Sequence, residues 1–182
     1  MDPSQGRILV QLAREAIETA LGAPPGPEVP APWLTNPGAT FVTLTKAGEL
    51  RGCIGSLVAQ RPLGEDLREN ARSAAFADPR FPPVTRVELP LLRVEVSLLS
   101  PQTPVIFTTE ADARGQLRPG TDGVVLEAGV HRATFLPQVW DQLPDPRQFL
   151  AHLKVKAGLP RDFWGPAVRL FRYRVEKWRE DR

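Results

Sequence analysis

Residues 41–57 read Phe41-Val42-Thr43-Leu44-Thr45-Lys46-Ala47-Gly48-Glu49-Leu50-Arg51-Gly52-Cys53-Ile54-Gly55-Ser56-Leu57, and this stretch decides the fold. Phe41 to Thr45 is aromatic and β-branched, the composition that suits a pleated, half-buried surface. Ala47-Gly48-Glu49 interrupts it with turn chemistry, and Leu50 to Leu57 resumes it. Two antiparallel strands joined as a hairpin are therefore expected.

Further strands follow. Leu92 to Leu99 alternates Val94, Val96 and Leu98 against Arg93, Glu95 and Ser97, a strand with one apolar face. Gly123 to Ala128 and Val130 to Leu136 predict a second hairpin turning at Ala128-Gly129, and Val168 to Val175 a last strand. A helix is expected over residues 5–21, capped by Ser4, with Ile8, Leu9, Leu12, Ala16 and Ile17 as its apolar stripe. Pro62 opens another through Phe76, a short one is read near 110–117, and Asp145-Pro146 begins a fourth that Gly158 stops. Hairpins interspersed with helices, without a repeated βαβ unit, give an α+β fold: a mainly antiparallel sheet flanked by helices. Residues 23–38 carry six prolines and read as an extended crossing loop pinned by Trp33, and residues 176–182 as a charged tail.

Composition bounds the function. A chain of 182 residues is one domain's worth, and 42% hydrophobic with 24% charged residues excludes a wholly disordered chain. No apolar run approaches the ~20 residues of a membrane helix, so no membrane association is expected. The start, Met-Asp-Pro-Ser-Gln, lacks a basic segment followed by an apolar one, so the expected location is cytoplasmic. One cysteine makes no internal disulfide, and no Cys or His spacing suggests a metal. Nineteen arginines against four lysines, with 20 prolines, fit a hot habitat or high-GC coding equally. Net charge is +2, but residues 154–182 hold nine Lys/Arg against four Asp/Glu, leaving residues 1–153 at −3.

Chemistry centres on Leu50-Arg51-Gly52-Cys53-Ile54-Gly55. Strand alternation puts Arg51 and Cys53 on one face, where a guanidinium favours thiolate. Gly52 and Gly55 admit a ligand or another backbone. Equally, Cys53 is a small buried hydrophobe beside a glycine bulge. Glu95 and Ser97 share the polar face of their strand and are the expected partners of Arg51. Asp78-Pro79-Arg80-Phe81 holds Asp78 and Arg80 on a stiff loop, as a positioned site requires or as a simple cap and ion pair would. Lys154 and Lys156, near a helix C-terminus, are phosphate ligands or solvated charges. The catalytic candidates are Cys53, Glu95 and Asp78. The binding candidates are Arg51, Gly52, Gly55, Arg80, Ser97 and Lys156.

Phe41-Val42-Thr43-Leu44, Leu50-Arg51-Gly52-Cys53-Ile54-Gly55 and Ala75-Phe76-Ala77-Asp78-Pro79-Arg80-Phe81-Pro82-Pro83 closely resemble the AMMECR-type domain family. The resemblance continues through Val94-Glu95-Val96-Ser97, Gly120-Thr121-Asp122-Gly123, Phe135-Leu136-Pro137 and Lys156-Ala157-Gly158-Leu159. It implies one α+β domain over residues 1–182 with a smaller second lobe, and a cleft between lobes lined by Arg51 to Gly55. It also implies similarity to protein A of the AmmeMemoRadiSam set, accompanied by a Memo-like and a radical SAM protein; no reaction or cofactor follows. Many members carry a cysteine where this chain has Lys154, so pairing of that cysteine with Cys53 has no counterpart here. Three function classes remain open: a small-molecule binding or modifying cleft, a non-catalytic partner protein, and an RNA- or nucleotide-binding module using the basic segment after Lys154.

Overall fold

Ala47 at φ 52° and Gly48 at φ 86° close the expected hairpin. A two-residue turn with both centres left-handed matches the twist of the strands it joins. The computed structural model describes residues 2–27 and 29–181. The chain forms two compact units, one running to Leu99 and taking in the stretch from Glu176 onward, the other Ser100–Val175.

In the first unit β1 (Pro37–Lys46) is central. It pairs antiparallel with β2 (Glu49–Gly55), β3 (Arg61–Pro62) and β4 (Leu92–Leu99), and β9 (Val175–Arg179) flanks β4. Val42 and Leu44 stand opposite Val96 and Val94, and all four are fully buried. They meet Leu9 and Ile17 of α1 (Pro3–Ala20) and Leu67 and Ala71 of α2 (Leu63–Phe76). Each such valine, leucine or isoleucine contributes roughly 1.5–3 kcal/mol by leaving water. Gly52 is the point of closest approach, because a Cβ there would overlap the Ala74 carbonyl oxygen of α2. Trp33 packs against this core beside buried Leu34.

Two local expectations change here. Asp2, not Ser4, caps α1: its carboxylate accepts from Ser4 N at 3.0 Å while the Gln5 side chain accepts from Asp2 N. A cap two residues earlier leaves Pro3 at the first helical position, where its missing N–H costs nothing. The stretch read as a charged tail contains β9. Its charges are used internally: Arg14 forks Glu180 at 2.7 and 2.6 Å, Glu180 also accepts from Val94 N at 2.9 Å, and Trp178 packs on the core.

The second unit is a four-stranded antiparallel sheet, order β5-β8-β6-β7, built from β5 (Thr103–Val105), β6 (Gly123–Ala128), β7 (His131–Phe135) and β8 (Val168–Tyr173). Its core gathers Val124, Leu126 and Leu170 with Phe149, Leu150 and Leu153 of α4 (Pro146–Lys156). Phe149 stacks on Trp140 with ring centroids 3.6 Å apart. Asp145 caps α4 and Gly158, at φ 80°, lies just past its end. The short helix read near 110–117 is α3 (Glu110–Gln116). Lys154 is not solvated. It is 2% exposed and donates to Glu110 Oε1 at 3.0 Å, with its ammonium 5.7 Å from the Trp164 ring. A lysine at an inward helical position follows its helix face into the core and must carry a counter-charge with it. The architecture is α+β with antiparallel sheets.

Ala47 is the only residue other than glycine with a positive φ among the described residues. Ala47→Asn gives the hairpin the Asn-Gly pair such turns favour, and a rise of about 0.5–1 kcal/mol in unfolding free energy by urea titration is expected. Glu110→Ala strands a buried ammonium and should cost about 3 kcal/mol, whereas Lys154→Met, which replaces the charge with a similar volume, should stay within about 1 kcal/mol of the parent. Equal losses in the two variants would contradict this account of the pair.

Candidate functional site

The pairing of β1 with β2 slips by one residue between Leu44 and Thr45. Leu50 faces Thr45 and Gly52 faces Leu44, so Arg51 is the extra residue of a bulge. Without it, a two-residue turn would set Cys53 opposite Val42, on the core side. With it, Cys53 faces Thr43, and their Sγ and Oγ1 lie 3.3 Å apart. Glu95 faces Thr43 from the other side, so Cys53, Thr43 and Glu95 form one row across three strands. The row beside it is Gly55, Phe41 and Ser97.

At the C-terminal end of α2 the chain turns into Asp78-Pro79-Arg80-Phe81-Pro82-Pro83. Asp78, 4% exposed, accepts from Cys53 N at 2.8 Å, and from Arg80 N, Nε and Nη2 at 3.1, 2.9 and 2.7 Å. Arg80 Nη2 also donates to the Cys53 carbonyl at 3.3 Å. The Arg80 hydrogen bonds first, with the two backbone donors, hold the Asp78 carboxyl well below the usual carboxylate range despite burial. Such a carboxylate stays ionised at neutral pH. Its hydrogen bonds position the Cys53 backbone and the Arg80 guanidinium.

Arg51 does not pair with Glu95. Its Nε and Nη2 fork the two oxygens of Glu88, each at 3.1 Å, and Glu88 also accepts from Lys46 Nζ at 3.0 Å. The bulge gives Arg51 a direction that simple alternation does not, and the carboxylate within reach is in the loop before β4. Arg51 first and Lys46 second pull the Glu88 carboxyl from 4.5 down to about 2. The Phe81 ring receives both guanidiniums, Arg51 Cζ at 6.0 Å and Arg80 Cζ at 5.5 Å from its centroid. Arg51 Nη1 is left over: buried, with no hydrogen-bond partner.

The structure thus brings Arg51, Gly52, Cys53, Gly55, Asp78 and Arg80 together at one corner of the first sheet. Glu95 and Ser97 lie two strands away; at the usual inter-strand spacing, Cys53 and Glu95 are about 10 Å apart. Glu95 has Lys177 Nζ at 3.8 Å instead, and Ser97 is buried. Lys156 belongs to the second unit, where it donates to the Thr134 carbonyl at 2.9 Å, 5.1 Å from the Phe135 ring. Among the described residues no three His, Cys, Asp or Glu are grouped to hold a metal.

Three participants escaped the sequence reading. Glu88 had a signal, because Thr85-x-x-Glu88 is capping-box spacing and Thr85 N and Oγ1 both donate to Glu88 Oε2 at 3.2 Å. Thr43 and Phe81 had none apart from register and loop position. A second buried carboxylate, Asp66, accepts from Thr40 N and Oγ1, Ser56 Oγ, Arg61 Nε and Asn70 Nδ2 within 3.1 Å, tying the end of β2 to α2.

A family model described as AMMECR1 matches residues 10–178. The chain belongs to the AMMECR1 family. A relative from Methanothermobacter thermautotrophicus is 41% identical across 97% of this chain and 95% of its own length. One from Thermococcus gammatolerans is 38% identical across 97% and 90%. The crystal structure of an uncharacterized protein from Pyrococcus horikoshii matches all of this chain and 94% of that chain, with a TM-score of 0.84 at 35% identity.

The Glu88 pairing carries a pH dependence of defined sign. Its folded-state pKa is depressed, so its contribution to stability is complete above about pH 4.5 and is lost as pH falls toward about 2. Thermal melts should show the gap between parent and Glu88→Gln widest at neutral pH and closing across that window. Parallel curves would mean the fork to Arg51 is not stabilising.

Proposed function

We propose that Arg51 to Gly55, together with the Asp78–Phe81 loop, forms a binding site for a small molecule that presents a carbonyl or anionic oxygen. The observation that carries this reading is Arg51 Nη1, the single buried side-chain nitrogen or oxygen without a partner among the described residues. A buried donor left unmade costs about 1–3 kcal/mol, and a ligand oxygen removes that cost. Glu88 and Phe81 orient Arg51, Asp78 fixes the Cys53 backbone, and Arg80 adds a half-exposed cation at the rim. Cys53 Sγ is the only thiol present and lies beside Arg51 in sequence, so it is the nucleophile to test if the bound molecule is modified. Glu95 and Ser97, two strands away, are left out of this site. On family grounds, a Memo-like and a radical SAM protein are the proposed partners in the cytoplasm.

Native mass spectrometry of purified protein, followed by a thermal-shift panel of small carboxylates and phosphates, tests the reading. A retained or stabilising compound is expected for the parent and for Glu95→Gln, with at least about tenfold weaker binding in Arg51→Lys, which cannot fork Glu88 and still offer a free donor. If no compound is retained or stabilises, while a Memo-like protein binds the parent and Arg51→Lys alike, the partner-protein reading replaces this one.

A further inference from the structure

The second unit holds a different concentration of charge. Arg118, Arg172 and Arg174 line one pocket of about 220 Å³ together with Ser100, Thr103 and Asp122. None of the three arginines makes an ion pair among the described residues. Arg172 Nη1 instead donates to the Gln116 carbonyl at 3.2 Å, which holds one guanidinium within two residues of Arg118. Arg174 follows Tyr173, whose buried ring ends β8, and its backbone N–H is fixed by Ser100 Oγ at 2.9 Å.

The one carboxylate in the pocket does not neutralise this group. Asp122 is 2% exposed and accepts from Arg118 N at 2.9 Å, where it shapes the loop; the turn is completed by the N–H groups of Thr121 and Asp122, both on the Arg118 carbonyl. Gly120 supplies the left-handed residue that the turn needs, at φ 76°. The pocket therefore carries three positive charges against one negative, a surplus of two. The hydroxyls are already engaged, Ser100 Oγ with Pro101 O and Thr103 Oγ1 with Arg172 O. What remains on offer is guanidinium N–H, planar and forked, the donor geometry that matches phosphate oxygens. The volume is below the roughly 300–1,000 Å³ of a site that encloses a whole drug-sized ligand, so it suits a terminal group.

We infer that this pocket binds the phosphoryl group of a small phosphomonoester, whose dianion matches the surplus charge. The site lies wholly within the second unit and is independent of the Arg51 centre. It also narrows the basic C-terminal segment to a local feature, since Arg118 comes from outside that segment and Lys154 and Lys156 are engaged elsewhere.

The test is an NMR titration of arginine Nε–H signals with inorganic phosphate and with ribose 5-phosphate at low ionic strength. Saturable shifts confined to Arg118, Arg172 and Arg174 are expected. Arg118→Gln and Arg174→Gln, both exposed and so compatible with folding, should each weaken binding about tenfold, and Arg132→Gln, whose partner is Glu127, should not. Sodium chloride at matched ionic strength must leave the signals in place. Shifts that do not saturate, or that move every exposed arginine alike, would show a general ionic response and overturn the site. Affinity that grows with the length of an RNA oligonucleotide and exceeds that for ribose 5-phosphate would assign the pocket to a nucleic-acid backbone instead.

Discussion

The extra residue in β2 sets what the first unit presents to its surroundings. A strand pairing has period two, so one inserted residue exchanges the faces of everything beyond it. Here the insertion falls at Arg51. It turns Gly52 toward α2, where only hydrogen fits against the Ala74 carbonyl, and turns Cys53 to the opposite face beside Thr43. Ile54 returns to the helix side and packs on the core. The same four residues thus seat β2 on a helix at backbone contact distance and aim an arginine at a loop carboxylate. Removing the bulge would bury the thiol and expose Ile54.

That geometry explains what could be read in the sequence. The alternation of Val42 and Leu44, and of Val94 and Val96, is local information, and local information fixed the hairpin, the strand pairing faces and the helices. The bulge is not local. Gly52 hinted at it, but its position depends on α2 packing against the strand. Glu95 was the expected partner of Arg51 because both were read onto the polar faces of their strands; Arg51 is the bulge residue instead, and Glu88 in the loop before β4 takes the role. The last strand shows the same limit. Arg14 and Glu180 are 166 residues apart, so the charges at the C-terminus look free until their counter-charge is found.

Charge burial follows one pattern in both units. Asp66 and Asp78 each sit almost fully buried with four or more donors, and Lys154 sits with one carboxylate and an aromatic ring. Fully satisfied networks of this kind specify one arrangement more than they stabilise it, because desolvation offsets most of the Coulomb gain. Asp78 illustrates the consequence for function. The bonds that hold it ionised also occupy its lone pairs, so Asp78 holds the Cys53 backbone and Arg80 in place.

The exception to that satisfaction is therefore informative. Arg51 is as buried as its neighbours, its Nε and Nη2 are matched to Glu88, and its Nη1 is matched to nothing. Moving the guanidinium outward would hydrate Nη1 but break a charge-assisted fork and its contact with Phe81. The fork and the ring hold the donor in place at a standing cost comparable to one hydrogen bond. Among the described residues every other buried side-chain nitrogen and oxygen has a partner, and Asp66 alone accepts from five donors. That unmet donor is the feature on which the proposed ligand site rests.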